Sequence, residues 1–224
     1  LEYVANGLKS VTAEHGAASI GALASPHSTL EELYLTQAVV RGLGSGNVDF
    51  RLRQSDFSAD GKREGAPWLG MPVSKIGSLD RLFVIGSFFR KDHPLIAQRI
   101  RQAAKRGLKV SALNPAFDDW QLPVVNALNV RPSAMASSLL AVLKGLVEIS
   151  GEAYDGEYAA ALAGASSEPA ARAIAESIAS GRRSAVWLGN LAVQHQDAAT
   201  LHALAQEIAR VAKEIGRASC RERV

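Results

Sequence analysis

The stretch Leu79-Asp80-Arg81-Leu82-Phe83-Val84-Ile85-Gly86-Ser87, followed by Asp92-His93-Pro94 and by Arg106-Gly107-Leu108-Lys109-Val110, decides the fold. Leu82 to Ile85 is an apolar run of strand length, and Gly86-Ser87 supplies the turn that ends it. Pro94 stands where a first helical residue is favoured, because the N–H it lacks is one a helix leaves unbonded anyway. It opens a helix over Leu95 to Arg106, which Gly107 stops. Lys109 to Leu113 is the next strand and Val124 to Val130 a third. Strands alternating with helices imply βαβ units and a mainly parallel sheet.

The pattern extends toward the C-terminus. Ala134 to Ile149 is a helix with Leu139, Leu140, Leu143, Leu146 and Val147 on one side. Ser150 to Gly156 is a polar connection, Glu157 to Ala163 and Pro169 to Ala179 are Ala-rich helices, Ala185 to Leu188 is a strand, and Ala198 to Lys213 a helix. Toward the N-terminus, Leu1 to His15 reads as an amphipathic helix stopped by Gly16, and Ala18 to Ala24 as a short buried strand. Ser28 with Glu31 fits a capping box that opens a helix ending at Gly42 and Gly44. Asn47 to Arg53 alternates Val48, Phe50 and Leu52 with Asp49, Arg51 and Arg53, a strand with one polar face. Ser55 to Pro72 has no periodicity and is the internal boundary. The expectation is an α/β protein with a first segment over residues 1–70 and a mainly parallel α/β domain over 71–213.

Composition narrows the function classes. With 47% hydrophobic residues in 224, the chain can bury a sizeable core and should be globular. The richest apolar segment, Ser138 to Ile149, is broken by Lys144, Gly145 and Glu148, which speaks against a membrane span. A net charge of +3 with only 6% aromatic residues argues against nucleic acid. The lone cysteine, Cys220, closes no disulfide and holds no thiolate metal cluster by itself.

Both ends look non-native. Leu1-Glu2-Tyr3-Val4 has no initiator methionine and no leader pattern, so chain is expected upstream. From Glu214 the reading Glu-Ile-Gly-Arg-Ala-Ser-Cys-Arg-Glu-Arg-Val abandons the preceding periodicity and resembles a translated sequencing adapter. Residues 214–224 are therefore expected to be a non-native tail, and Cys220 with it.

The strand and helix run from Leu79 to Val110, with Asn114-Pro115, Arg131-Pro132 and Ala185-Val186-Trp187-Leu188-Gly189, resembles the dinucleotide-fold core of the molybdopterin oxidoreductase superfamily. The resemblance covers nearly all of Leu1 to Lys213 and implies an incomplete molybdopterin-oxidoreductase-like fold with a Rossmann-like sheet flanked by helices. In cofactor-binding members the turn after the first strand carries Gly-x-Asn-Pro. The second strand there ends in Asp-Pro-Arg and the third is followed by Arg-Pro-Gly-Thr-Asp. Here Phe88 or Phe89 stands at the asparagine, Asn114 at the aspartate, Ala116 at the arginine, and Ser133-Ala134-Met135 at Gly-Thr-Asp. A phenyl ring or a methyl returns none of the hydrogen bonds of a polar base, about 1–3 kcal/mol each. Molybdopterin is therefore not expected.

Ala24-Ser25-Pro26 with Thr29, Glu31 and Glu32, and the run Leu43-Gly44-Ser45-Gly46-Asn47-Val48-Asp49-Phe50-Arg51-Leu52-Arg53-Gln54-Ser55-Asp56-Phe57, resemble the large iron–sulfur subunits of bacterial NADH:quinone oxidoreductases. That resemblance implies [2Fe–2S] and [4Fe–4S] clusters upstream of Leu1 and none in this fragment. It implies as partners the other peripheral-arm subunits, and a place on the cytoplasmic side of the bacterial inner membrane. A piece of a formate-dehydrogenase-like molybdopterin catalyst is the alternative, since it shares the same element order. Generic dinucleotide binding is weakened because no Gly-x-Gly-x-x-Gly follows a strand.

No catalytic, cofactor-binding or metal-binding residue is assigned within the chain. His93 reads as a helix cap and His27 as a loop residue. His195 and His202 lack a third ligand at metal spacing. Asp118-Asp119-Trp120 reads as a solvated turn. Ser25 and Ser87 have no base at a recognisable spacing. Arg51, Arg53 and Arg63 with Asp49, Asp56 and Asp60 read as a solvated or interfacial charge set.

Overall fold

A computed structural model describes residues 1–25, 27–50, 56–62, 68–117, 119–151, 153–166 and 168–214. The chain divides into two compact units, Leu1–Gln54 and Ser55–Val224.

The first unit holds helix α1 (Glu2–His15), strand β1 (Ala22–Leu23), helix α2 (Leu30–Gly42) and strand β2 (Val48–Asp49). β1 and β2 pair in parallel, Ala22 beside Val48 and Leu23 beside Asp49. The strand expected over Ala18 to Ala24 is shorter, because Ala17–Ser19 turns as a 3₁₀ helix first. Asn47 explains the shortening: its side chain donates to Ala18 O at 2.8 Å and holds that turn in place. The capping box of α2 is Thr29 with Glu32, not Ser28 with Glu31. Thr29 is the residue in extended conformation, so its Oγ accepts from Glu32 N while the Glu32 carboxylate accepts from Thr29 N. α1 buries none of its residues, although its apolar positions recur at helical spacing. The expected strand beyond Phe50, over Arg51 to Arg53, lies outside the described residues.

The second unit is a four-stranded parallel sheet with helices on both faces. Its strands are β3 (Arg81–Ile85), β4 (Lys109–Asn114), β5 (Val124–Asn129) and β6 (Ser184–Leu188), in the order β5-β4-β3-β6. Helices α3 (Phe89–Asp92) and α4 (Pro94–Ala104) lie between β3 and β4. Helices α5 (Met135–Ser150), α6 (Ala159–Ala163) and α7 (Pro169–Ala179) lie between β5 and β6. Helices α8 (Asn190–Val193) and α9 (Ala198–Glu214) follow β6. Alternate strand residues serve opposite faces, as the period of two requires. Phe83, Ile85, Leu113, Leu128 and Val186 pack with α5, α7 and α9. Leu82, Val84, Val110, Ala112, Ala185 and Trp187 pack with α4 and the 3₁₀ turn Val73–Ser78.

By length and mean hydropathy alone, Pro132–Ser150 could cross a membrane. Its apolar residues serve the core instead: Met135, Leu139, Val142, Leu143 and Leu146 have no exposed surface. The connection that the sequence leaves irregular after Ser55 is partly tied down. Asp56 Oδ2 accepts from Ala199 N at 2.9 Å, at the first turn of α9, and Oδ1 accepts from Ser58 N at 3.0 Å. Asp56 thus anchors a helix N-terminus. Arg51, Arg53 and Arg63 of the expected charge set lie outside the described residues, as do Asp118, Pro26 and the tail beyond Glu214.

Candidate functional site

In an open parallel sheet, ligands seat at the carboxyl ends of the strands, where the strand order reverses. Here the chain runs β3, β4, β5 in one direction and then returns to place β6 on the other side of β3, so the reversal lies between β3 and β6. The residues that follow these strands build the candidate site: Gly86-Ser87-Phe88-Phe89 after β3, Asn114-Pro115 at the end of β4, and Gly189-Asn190 after β6.

The two strand ends are tied to one another. Gly189 N donates to Ile85 O at 2.8 Å and Leu191 N to Gly86 O at 3.0 Å. Gly86 has φ +64, and a Cβ there would stand 2.7 Å from Ala192 N, so only glycine allows α8 to approach this closely. A side chain on Gly189 would collide with Ser87. The first helical turn after β6 is thereby closed down on the turn after β3.

Asn114 completes the closure from the other side. Its Oδ1 accepts from Ser87 N at 2.9 Å and its Nδ2 donates to Ser87 O at 2.8 Å. Asn114 is fully buried, and both ends of its amide are used. An aspartate offers no donor for the Ser87 carbonyl, so the amide is what satisfies this turn.

Of the two phenylalanines, Phe89 is the buried one, at 5% exposure. Its ring stands edge-on to Trp120, centroids 5.6 Å apart, and to Trp187 on β6, 6.3 Å apart; Phe117 stands 6.1 Å from Trp120. Such pairs add about 0.5–1.5 kcal/mol beyond their burial. The aromatic group fills the α4 side of the strand ends. Ser87 Oγ, Trp120 Nε1 and Trp187 Nε1 are buried beside it with no hydrogen-bond partner among the described residues.

The remaining candidates separate from this place. His93 is the N-cap of α4 by position, but its side chain makes no capping bond; the cap role falls to its carbonyl, which accepts from Ala97 N at 2.9 Å. His195 and His202 do not share a helix. His195 lies in the bend before α9, where Nδ1 accepts from Asp197 N at 3.0 Å and Nε2 stands 3.1 Å from Pro132 O. With Nδ1 accepting, Nε2 is the nitrogen left to donate to the Pro132 carbonyl. His195 therefore fastens α9 to the start of α5. Among the described residues, no three His, Cys, Asp or Glu gather as a metal-holding group. Asp119 accepts from Gln121 N at 2.7 Å, an Asx turn, and stands 3.4 Å from Arg90 in an exposed pair.

Sequence reasoning passed over one polar cluster. Tyr154 donates to Glu207 Oε1 at 2.7 Å, and Arg210 engages both oxygens of Glu207, with Nε at 2.9 Å and Nη2 at 2.6 Å. The Arg210 bonds, with help from Tyr154, hold the Glu207 carboxyl below its usual range against the opposing effect of burial. Burial first, and then Glu207, push the Tyr154 phenol up to about 12. A small open recess lies alongside, lined by Val147, Ser150, Tyr154, Asp155, Arg210 and Val211. The spacing of Glu207 and Arg210, three apart on a helix, was visible in sequence, but Tyr154 joins from 53 residues away.

A molybdopterin oxidoreductase family model matches residues 1–221. The chain is similar to the F420-dependent formate dehydrogenase 1 subunit alpha of Methanococcus maripaludis, with 28% identity over 152 residues, covering 66% of this chain and 22% of that protein. Among solved structures it is similar to acetylene hydratase from Pelobacter acetylenicus, with a TM-score of 0.60 at 16% identity, covering 92% of this chain and 31% of that one. The second likeness speaks for the fold alone. The chain spans less than a third of the length of either relative. With a parallel sheet of the expected form and a family match over nearly every residue, the chain belongs to the molybdopterin oxidoreductase family.

Proposed function

We propose that residues 71–213 are a structural dinucleotide-fold domain, without a bound dinucleotide, in the large iron–sulfur subunit of a proton-pumping NADH:quinone oxidoreductase. The unit Leu1–Gln54 is the α/β segment that precedes it. On this reading, electrons pass from NADH to quinone through [2Fe–2S] and [4Fe–4S] clusters held outside these residues. The domain serves as a scaffold for other peripheral-arm subunits on the cytoplasmic side of the bacterial inner membrane.

One observation carries the reading: Phe89 stands buried against Trp120 and Trp187 at the strand ends where a family cofactor would be recognised. Two others support it. The Asn114 amide is consumed by Ser87, Gly86 is closed over by α8 and Gly189 by Gly86-Ser87, so a dinucleotide would have to displace packed side chains and break paired backbone groups. Ala116 offers no hydrogen bond from its side chain.

A second reading, a piece of a formate-dehydrogenase-like catalytic subunit, is favoured by the 28% identity to the F420-dependent formate dehydrogenase subunit. The full-length subunit distinguishes the two. Elemental analysis together with pterin fluorescence after oxidative release should find iron without molybdenum, tungsten or pterin. Stoichiometric molybdenum or tungsten with pterin would replace the first reading by the second.

A further inference from the structure

The end of the sheet opposite the strand-end site is strongly basic. In parallel register Arg81 lies beside Lys109 on one side and Ser184 on the other, so the starts of β4, β3 and β6 are level. Three adjacent strands span about 10 Å. Onto this edge the chain delivers Lys105 and Arg106 from the end of α4, Lys109 at the start of β4, and Arg182 and Arg183 just before β6. Arg101 lies one helical turn before Lys105 on the same face of α4. The 3₁₀ turn carrying Lys75 packs here too, since a Cβ on Gly77 would stand 2.9 Å from the Arg106 guanidinium.

These seven cations are exposed, and none has an ion pair among the described residues. Within the segments 73–81, 99–109 and 180–184 that build this edge, Asp80 is the one carboxylate, and its charge is already engaged. Its oxygens accept from Arg182 N at 3.0 Å and from Arg183 N at 3.2 Å, binding the turn before β6 to the start of β3. No Asp or Glu occurs between His93 and Phe117 or between Ser177 and Gln196. Hence a chain with net charge +3 concentrates more than that at one end.

We infer that this edge is a docking surface for an acidic protein segment. Unpaired cations brought together on a rigid sheet edge repel one another, and that repulsion is relieved when carboxylates face them. The four arginines among them present forked donors that match carboxylate oxygens in pairs. Nucleic acid is disfavoured because the segments 73–81, 99–109 and 180–184 contain no aromatic residue on which a base could stack. No groove-entering helix presents these charges either; α4 lies flat on the sheet through Ala97, Ile100 and Ala103. The surface is independent of the strand-end site and does not depend on which oxidoreductase the chain serves.

The test uses the whole 224-residue chain and a fluorescein-labelled peptide of twelve glutamates, read by anisotropy. A single-stranded DNA of similar charge and phosphatidylglycerol vesicles run in parallel. The peptide should bind saturably at low salt and weaken as added salt screens the surface charges. The triple variant Lys105→Glu, Arg106→Glu, Lys109→Glu should lose at least about tenfold in affinity. A charge-matched control, Lys9→Glu, Arg41→Glu, Lys62→Glu, should lose about twofold or less. Should the first variant misfold by circular dichroism, Arg182→Gln with Arg183→Gln tests the same edge. Equal losses in variant and control, absence of peptide binding, or capture of DNA or vesicles without the peptide would each overturn the inference.

Discussion

The side chain of Asn114 bonds both backbone groups of Ser87, accepting from its N–H at 2.9 Å and donating to its carbonyl at 2.8 Å. Asn114 ends β4 and Ser87 lies in the turn after the neighbouring β3, and the pair is fully buried. Asn114→Asp, which restores the family's residue, leaves the Ser87 carbonyl without its donor and puts a carboxylate in a dry place. A loss of about 3 kcal/mol is expected in urea unfolding of the chain. Loss below about 1 kcal/mol would mean that the turn finds other partners.

Phe89 packs on two tryptophans, and its removal opens a cavity between them. Phe89→Ala should cost about 3–5 kcal/mol. Tryptophan emission should shift to the red as Trp120 and Trp187 gain water, whereas the exposed Trp68 contributes a constant background. Phe89→Leu should keep most of the stability and remove the near-ultraviolet dichroism of the ring cluster.

Gly86 adopts φ +64 beneath Ala192 N. Gly86→Ala adds both left-handed strain and a collision with backbone, which cannot swing aside as a flexible side chain would. Destabilisation above about 2 kcal/mol is expected. Gly151 also has positive φ, at +68, but has open space around it, so Gly151→Ala should cost only about 1 kcal/mol of strain. Comparison of the two thermal midpoints separates collision from strain.

The cluster of Tyr154, Glu207 and Arg210 predicts two pH effects of opposite direction. The Glu207 carboxyl is depressed in the folded chain, so its contribution is present above the unfolded carboxylate range near 4.5 and is lost as pH falls through the folded value. The Tyr154 phenol is raised to about 12, so its contribution is complete below 10 and is lost as pH rises from 10 toward 12. Thermal midpoints measured across both ranges should fall at each end. Tyr154→Phe should flatten the alkaline limb and Glu207→Gln the acid limb. An unchanged alkaline limb in the Tyr154→Phe protein would show that other groups set it.

The elements of the second unit were legible because their marks are local. Pro94 and Pro169 are suited to open helices by their missing N–H, and both helices begin at those residues. The short helices α3 and α8 were not legible: four residues carry too little periodicity, and each exists because its ends are held by the turns after β3 and β6. In the first unit, Ser28 and Thr29 are chemically equivalent caps, and only the backbone conformation at Thr29 chooses between them.

At the candidate site, the substitutions themselves could be seen in the sequence, whereas their consequences could not. The identities of Phe88, Phe89, Asn114 and Ala116 state which polar groups are missing. Which phenylalanine turns inward, and where the Asn114 amide spends its two bonds, depend on Trp120, Trp187 and Ser87, all remote in sequence or across a strand. Asp56 is a similar case, reading as one charge among several until it meets Ala199 N, 143 residues on.

The sequence by itself thus determined the strands and longer helices of the second unit, the parallel sheet they imply, and the family. Hydrophobic period, proline and glycine act over a few residues and need no partner to be read. Only the tertiary structure decided that Phe89 turns inward onto two tryptophans, that the Asn114 amide is spent on Ser87, that Asp56 and His195 are fasteners, and that scattered cations form one basic edge. Each of those is a meeting of residues far apart in the chain, set by sheet order and packing that no local pattern encodes.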